Sequence, residues 1–195
     1  MDFPTTPLAL AALRFAGETQ PDWITHHGLR AYLFGRAVGT ARGEAFDDEL
    51  LYVAALLHDI GLTDAADTGQ RFEVDGADAA ATFLESAGMA PERVGVVWDA
   101  IALHTSGGVT KRSPAEVRLM QIGTTLDIVG PAEKVPSAVL DALPRKDTAR
   151  RLADLIVAQV RRNPRKGPPM SFAGELLRQR HPREAGPTFD DLVWD

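Results

Sequence analysis

From Leu50 to Leu57 every residue except Tyr52 is apolar, and the run ends in the polar pair His58-Asp59 before Ile60-Gly61. The run falls far short of the ~20 apolar residues that a membrane-spanning helix needs. Read from Asp47 to Asp59, it is a helix that is apolar nearly all round, and such a helix belongs at the centre of other elements. Glycine accepts the left-handed backbone that closes many helices, so Gly61 is read as the stop.

The flanking sequence is helical in period as well. A first helix is predicted from Pro7 to about Ala16, with proline at its first position, where a missing N–H costs nothing. A second starts near Pro21 and carries Trp23, Ile24, Tyr32, Leu33, Phe34 and Val38 before Gly39 and Gly43. Asp75 is read as the N-cap of a helix through Glu85 that Gly88 closes, and Pro91 opens one reaching about His104. Ser113-Pro114-Ala115-Glu116 has the pattern of a capping box and predicts a helix to about Val129, stopped by Gly130-Pro131. Three more are expected at about 137–143, 147–162 and 171–180. No run of alternating β-branched residues marks a strand, and no repeat recurs at a fixed period. Amphipathic helices joined by short loops predict a single all-α domain over residues 1–195.

Composition narrows the function. The chain has 195 residues, with 21 Lys and Arg against 27 Asp and Glu, for a net charge of −6. That balance opposes a nucleic-acid or anionic-membrane partner, which would need a positive field. Apolar residues at 45% and charged residues at 25% are ordinary globular values. With no cysteine, disulfide scaffolds, thiolate metal sites and cysteine nucleophiles are excluded. An apolar stretch near the N-terminus follows Asp2 without a basic region, so it reads as a short helix rather than a secretory signal, and the expected location is cytoplasmic. Arg145, Lys146, Arg150, Arg151, Arg161, Arg162, Arg165 and Lys166 cluster around the linker-like segment 163–169, with Asp147 and Asp154 among them. They are read as a solvated helix face and loop. The oligomeric state is left open by the sequence; the apolar first helix and Trp194 are the surfaces through which a homo-oligomer would make contact.

Without cysteine, a transition-type metal would have to be held by imidazole and carboxylate. An ionised Asp59 beside Leu56, Leu57 and Ile60 is costly to bury unless it is paired or meets a cation. On a helical wheel His27 falls with Ile24, Ala31, Phe34, Gly35 and Val38, whereas His26 lies nearly opposite, so His27 is read as facing inward. Asp127 sits at the margin of the face formed by Leu119, Ile122, Gly123 and Leu126, late in its helix. There the macrodipole disfavours an acid, and a divalent cation would compensate. Each residue alone has a plainer reading: a hydrogen-bonded core histidine, a chance His-Asp pair, a surface aspartate.

Taken together, His27, His58-Asp59 and Asp127 have an order and spacing that resemble the HD superfamily of metal-dependent hydrolases. Residues 26–35 (HHGLRAYLFG), 54–63 (AALLHDIGLT), 71–84 (RFEVDGADAAATFL), 100–105 (AIALHT) and 126–130 (LDIVG) look like the subgroup that includes cyanamide hydratase. The resemblance covers about residues 20–130, taken as the core of the domain, with 131–195 as a helical extension adding little to it. It departs from the subgroup at His26 and Ile128, where asparagine is common.

The resemblance implies that His27, His58, Asp59 and Asp127 hold one divalent ion. Zn²⁺, Mn²⁺, Fe²⁺ and Ni²⁺ all suit such ligands, and the cyanamide-hydratase likeness implies zinc. An ion of this kind lowers the pKa of bound water from about 15.7 to about 7, so that water becomes a nucleophile at neutral pH. Attack on a phosphorus ester and addition across a nitrile use the same nucleophile; the first calls for fixed cations and the second for a proton donor at nitrogen. His104 is placed as a proton donor, a ligand to an additional ion or a helix-end histidine. Arg30 is placed against a substrate anion or a structural carboxylate, and Glu73 as a group that orients water or substrate. The expected function is a phosphohydrolase-type, metal-dependent hydrolase of a small molecule. Nitrile hydration and a non-catalytic, metal-stabilised binding domain are the alternatives.

Overall fold

The apolar helix lies at the centre of the molecule. In the computed structural model, which describes residues 2–131 and 136–193, every residue from Leu50 to Leu57 is buried. Ten α-helices and no strand form among the described residues. They are α1 (Pro7–Thr19), α2 (Asp22–Arg42), α3 (Asp48–Leu57), α4 (Phe72–Ser86), α5 (Pro91–Ala102), α6 (Ala115–Val129), α7 (Ser137–Ala142), α8 (Thr148–Arg162), α9 (Phe172–Arg180) and α10 (Phe189–Leu192). The fold is all-α. None of the described helices is long and apolar enough to cross a membrane. Trp194 lies outside the described residues. On α1, Ala9, Ala12 and Ala16 are buried while Leu10 and Leu13 stay exposed.

Two glycines determine how α2 and α6 meet. A Cβ on Gly123 would stand 2.1 Å from the Ala31 carbonyl oxygen, and one on Gly35 would stand 2.6 Å from that of Leu119. The helices therefore cross backbone against backbone. Gly35 faces Leu119, Ala31 faces Gly123, and one turn further His27 faces Asp127, an antiparallel register.

Several local expectations need correction. Gly61 does not adopt a positive φ. The chain instead tightens after α3 into a 3-10 turn at Ile60–Leu62, with Asp59 at φ −99° and ψ 9°. That sparsely populated backbone region is common among active-site residues. Glycine is needed at 61 for close approach: a Cβ there would lie 2.0 Å from the Phe72 carbonyl oxygen. Asp75 is not an N-cap, because α4 starts three residues earlier; it is a buried first-turn acid bonded to Thr68 and Lys166. The expected capping box at Ser113 does not form either. Pro114 takes the N-cap position, and Glu116 accepts a hydrogen bond from the Asp47 amide at 2.6 Å, so it serves the start of α3 instead.

The largest correction concerns the extension. Leu152, Ile156, Val157 and Val160 of α8, with Ala173 and Leu177 of α9, form a second core with Leu62 and Phe72. Lys166, expected in solvent, is buried; its ammonium donates to Asp75 at 2.6 Å and to Asp67 at 2.7 Å. A lone buried ammonium would be prohibitive, and the two carboxylates make the position tenable. Residues of α8 and α9 thus form one side of a cavity.

Candidate metal centre

Three histidines are held in the same manner. His58 follows α3 and its Nδ1 lies 2.7 Å from the Ala55 carbonyl oxygen; His104 follows α5 and its Nδ1 lies 2.7 Å from that of Ile101. Each takes a carbonyl three residues earlier, one of the acceptors that a helix leaves free at its C-terminus. His27, on α2, places Nδ1 2.6 Å from Oδ2 of Asp127. Carbonyl and carboxylate oxygens only accept, so each Nδ1 carries the proton. In the neutral ring the lone pair then sits on Nε2.

Those three Nε2 atoms turn towards one carboxylate. His58 Nε2 is 3.2 Å and His27 Nε2 is 3.6 Å from Asp59 Oδ2, while His104 Nε2 is 3.7 Å from Asp59 Oδ1. All four side chains are buried. His58 Nε2 and Asp59 Oδ2 are shielded from solvent and have no hydrogen-bond partner. Lone pairs facing one another without a proton between them are unfavourable, and a cation removes the conflict. His27, His58 and Asp59 each offer a ligand atom within 4.8 Å of the others. Ligands about 2.0–2.2 Å from a shared ion lie about 3–4 Å from one another, so this donor set fits a divalent metal. The C-terminal ends of α3 and α5, where the helix dipole is negative, also point here.

Proton affinities show the same demand for positive charge. For Asp59, burial alone would raise the pKa, but the neighbouring His58, then His27 and His104, hold the carboxyl far below its usual range. Burial pushes His58 down, yet the Asp59 carboxylate outweighs it and the net shift is upward. Burial dominates at His27, which is lowered despite Asp127. Burial and the charge of His58 bring His104 down to about 4.

Asp127 takes a different place from the other three expected ligands. It lies behind His27, on the Nδ1 side. Arg30 grips it with two bonds, Nε to Oδ1 at 2.7 Å and Nη2 to Oδ2 at 2.8 Å. Arg30 and His27 thus supply the compensation that the late helical position of this acid requires. The remaining Arg30 donors reach the carbonyl oxygens of Leu143 and Pro144 and the hydroxyl of Thr148. With its guanidinium buried and all five N–H groups engaged, Arg30 fills the structural alternative and not the substrate-binding one. Glu73 is also buried; its Oε1 accepts from Thr105 at 2.7 Å and from Arg71 at 2.9 Å, so it stands behind a wall residue of the cavity.

A cavity of about 500 Å³ opens over His27, His58, Asp59 and His104. Thr105, Gln121, Thr124 and Thr125 line one side, and residues of α8 and α9 line the other. The sequence reading missed these walls. The signal for α8 was present: Leu152, Ile156, Val157 and Val160 recur at helical spacing and needed something to cover.

With this geometry established, comparison with protein families gives one answer: the model for the HD domain matches residues 24–164. That is more than half of the chain, and the chain belongs to the HD domain family. The match runs through α8, past the limit near residue 130 expected for the core. A search of the curated proteins returned no match.

Proposed function

We propose that the protein is a metal-dependent hydrolase of a small molecule, in which His27, His58 and Asp59 hold one divalent ion and His104 faces the same space from the far oxygen of Asp59. One observation carries the reading: two imidazole Nε2 atoms converge on a carboxylate in a buried site, and His58 Nε2 and Asp59 Oδ2 have no hydrogen-bond partner there. A divalent ion bound there would bring the pKa of a coordinated water down to about 7 and so supply a nucleophile at neutral pH. The Nδ1 bonds to Ala55, Ile101 and Asp127 hold each ring in the orientation that turns Nε2 inward. Asp127 is a positioning residue acting through His27, and Arg30 fixes Asp127. An imidazole-rich donor set suits zinc, and manganese, iron or nickel would be accommodated.

Elemental analysis of purified protein tests the assignment. Wild type should carry one equivalent of divalent metal and lose it with activity on chelation, and Asp59→Ala should carry almost none. Full occupancy in Asp59→Ala would sink it. A metal-loaded protein that turns over no phosphomonoester, nucleotide or cyanamide would favour a binding module over an enzyme. Ester hydrolysis and the nitrile hydration suggested by the cyanamide-hydratase likeness share the nucleophile. The charge of the cavity wall separates them.

A further inference from the structure

Much of the cavity lining is apolar, with Phe72, Ile128, Leu152, Ile156, Phe172 and Leu176, and no Lys or Arg belongs to it among the described residues. Its hydroxyl groups are already committed. Thr105 donates to Glu73 at 2.7 Å, Thr125 to the Gln121 carbonyl at 2.9 Å, and Thr124 to the carbonyls of Met120 and Gln121 at 3.2 and 3.0 Å. Their oxygens are left only to accept, and that of Thr125 already accepts from Gln121. Gln121 Nε2 donates one of its two protons to Thr125 at 2.9 Å, so apart from its second N–H the donors must come from the ligand and not from the lining side chains.

The charges agree. Asp59 leaves a divalent ion with a single positive charge, and Asp127 with its partners Arg30 and Arg145 lies outside the cavity lining. A phosphomonoester dianion would exceed that charge in an apolar pocket where no guanidinium or ammonium meets its oxygens, and buried anions without such partners are costly. The volume of about 500 Å³ suits a small molecule.

We infer that the substrate is an uncharged small molecule with an apolar body seated between α6, α8 and α9, bearing an N–H or O–H group near its reacting end. The inference rests on the metal-dependent reading, which is tested separately by zinc competition against a chromogenic chelator. Calorimetry on the zinc-loaded protein compares 2-naphthamide with 2-naphthyl phosphate, which share an apolar body and differ in the charge of the head. The amide should bind at least about tenfold tighter, given the cost of burying an unpaired anion. Phe172 is 44% exposed, so Phe172→Ala should spare the fold. It should weaken the amide roughly fivefold through lost apolar contact and leave zinc affinity unchanged. Equal or tighter binding of the phosphate overturns the inference. So does failure of both probes on protein that binds zinc, or an amide affinity indifferent to Phe172→Ala. Failure to bind zinc instead overturns the reading beneath it.

Discussion

At Asp59 two demands meet that no single neighbour satisfies. The carboxylate is buried, and each group facing it is an imidazole whose proton is held on the far side by a carbonyl or by Asp127. Asp127→Asn separates ligand from positioning residue. It keeps the shape, removes the charge behind His27, and leaves Arg30 buried without its carboxylate. Metal affinity should fall about 10–100-fold, as for other groups that orient a ligand, and not vanish as in Asp59→Ala. Chelator competition reads this directly. Stability should fall by about 3–5 kcal/mol, the usual cost of breaking a buried pair, as read by denaturant unfolding. His27 was legible as inward-facing because a helical wheel needs only its own helix. That Asp59 required a partner was legible too, since the cost of a charge among leucines is local. The grip of Arg30 on Asp127 was not, because 97 residues separate them and either fate satisfied the sequence equally.

Between elements, the α2–α6 crossing aligns His27 with Asp127. Gly123 lies one turn from Asp127, and its absent side chain lets α6 rest on the Ala31 carbonyl. In Gly123→Ala the two helices must part. The expected outcome is a loss of about 1–3 kcal/mol from overpacking, read as a lower Tm, together with weaker metal binding. Helix positions were recovered well from periodicity and from proline and glycine: α8 and α9 fall within one residue of their expected bounds. Caps were recovered poorly. Asp75 and Ser113 both had capping patterns, yet Asp75 was needed by Lys166 and Pro114 displaced Ser113 from the cap. A cap pattern records what a residue can accept locally and is silent about a distant donor that competes for it.

Across the whole molecule, the C-terminal segment closes the cavity and is fastened by Lys166 to Asp67 and Asp75. The hydrogen bond from Lys166 holds the Asp67 carboxyl below its ordinary value, outweighing the upward push of partial burial. A lowered folded-state pKa means stability that is present above the unfolded value of about 4 and is lost as pH falls through the folded one. The stability advantage of wild type over Asp67→Asn should therefore be full at pH 7 and shrink below about pH 4, which unfolding series at matched pH would show. The whole-molecule view also shows why the extension was undervalued. A basic, amphipathic α8 reads as a solvated face until Leu62 and Phe72 are seen uncovered beneath it.

Helical class, the central position of α3, the inward turn of His27 and the need for positive charge at Asp59 follow from short-range terms: periodicity, backbone preference and the cost of desolvating a charge. The place of Asp127 behind His27, the burial of Lys166 and the apolar cavity wall come from contacts between residues far apart in the chain. Such contacts depend on which of several equally satisfied partners the packed backbone brings within reach, and that choice is made only when the helices close on one another.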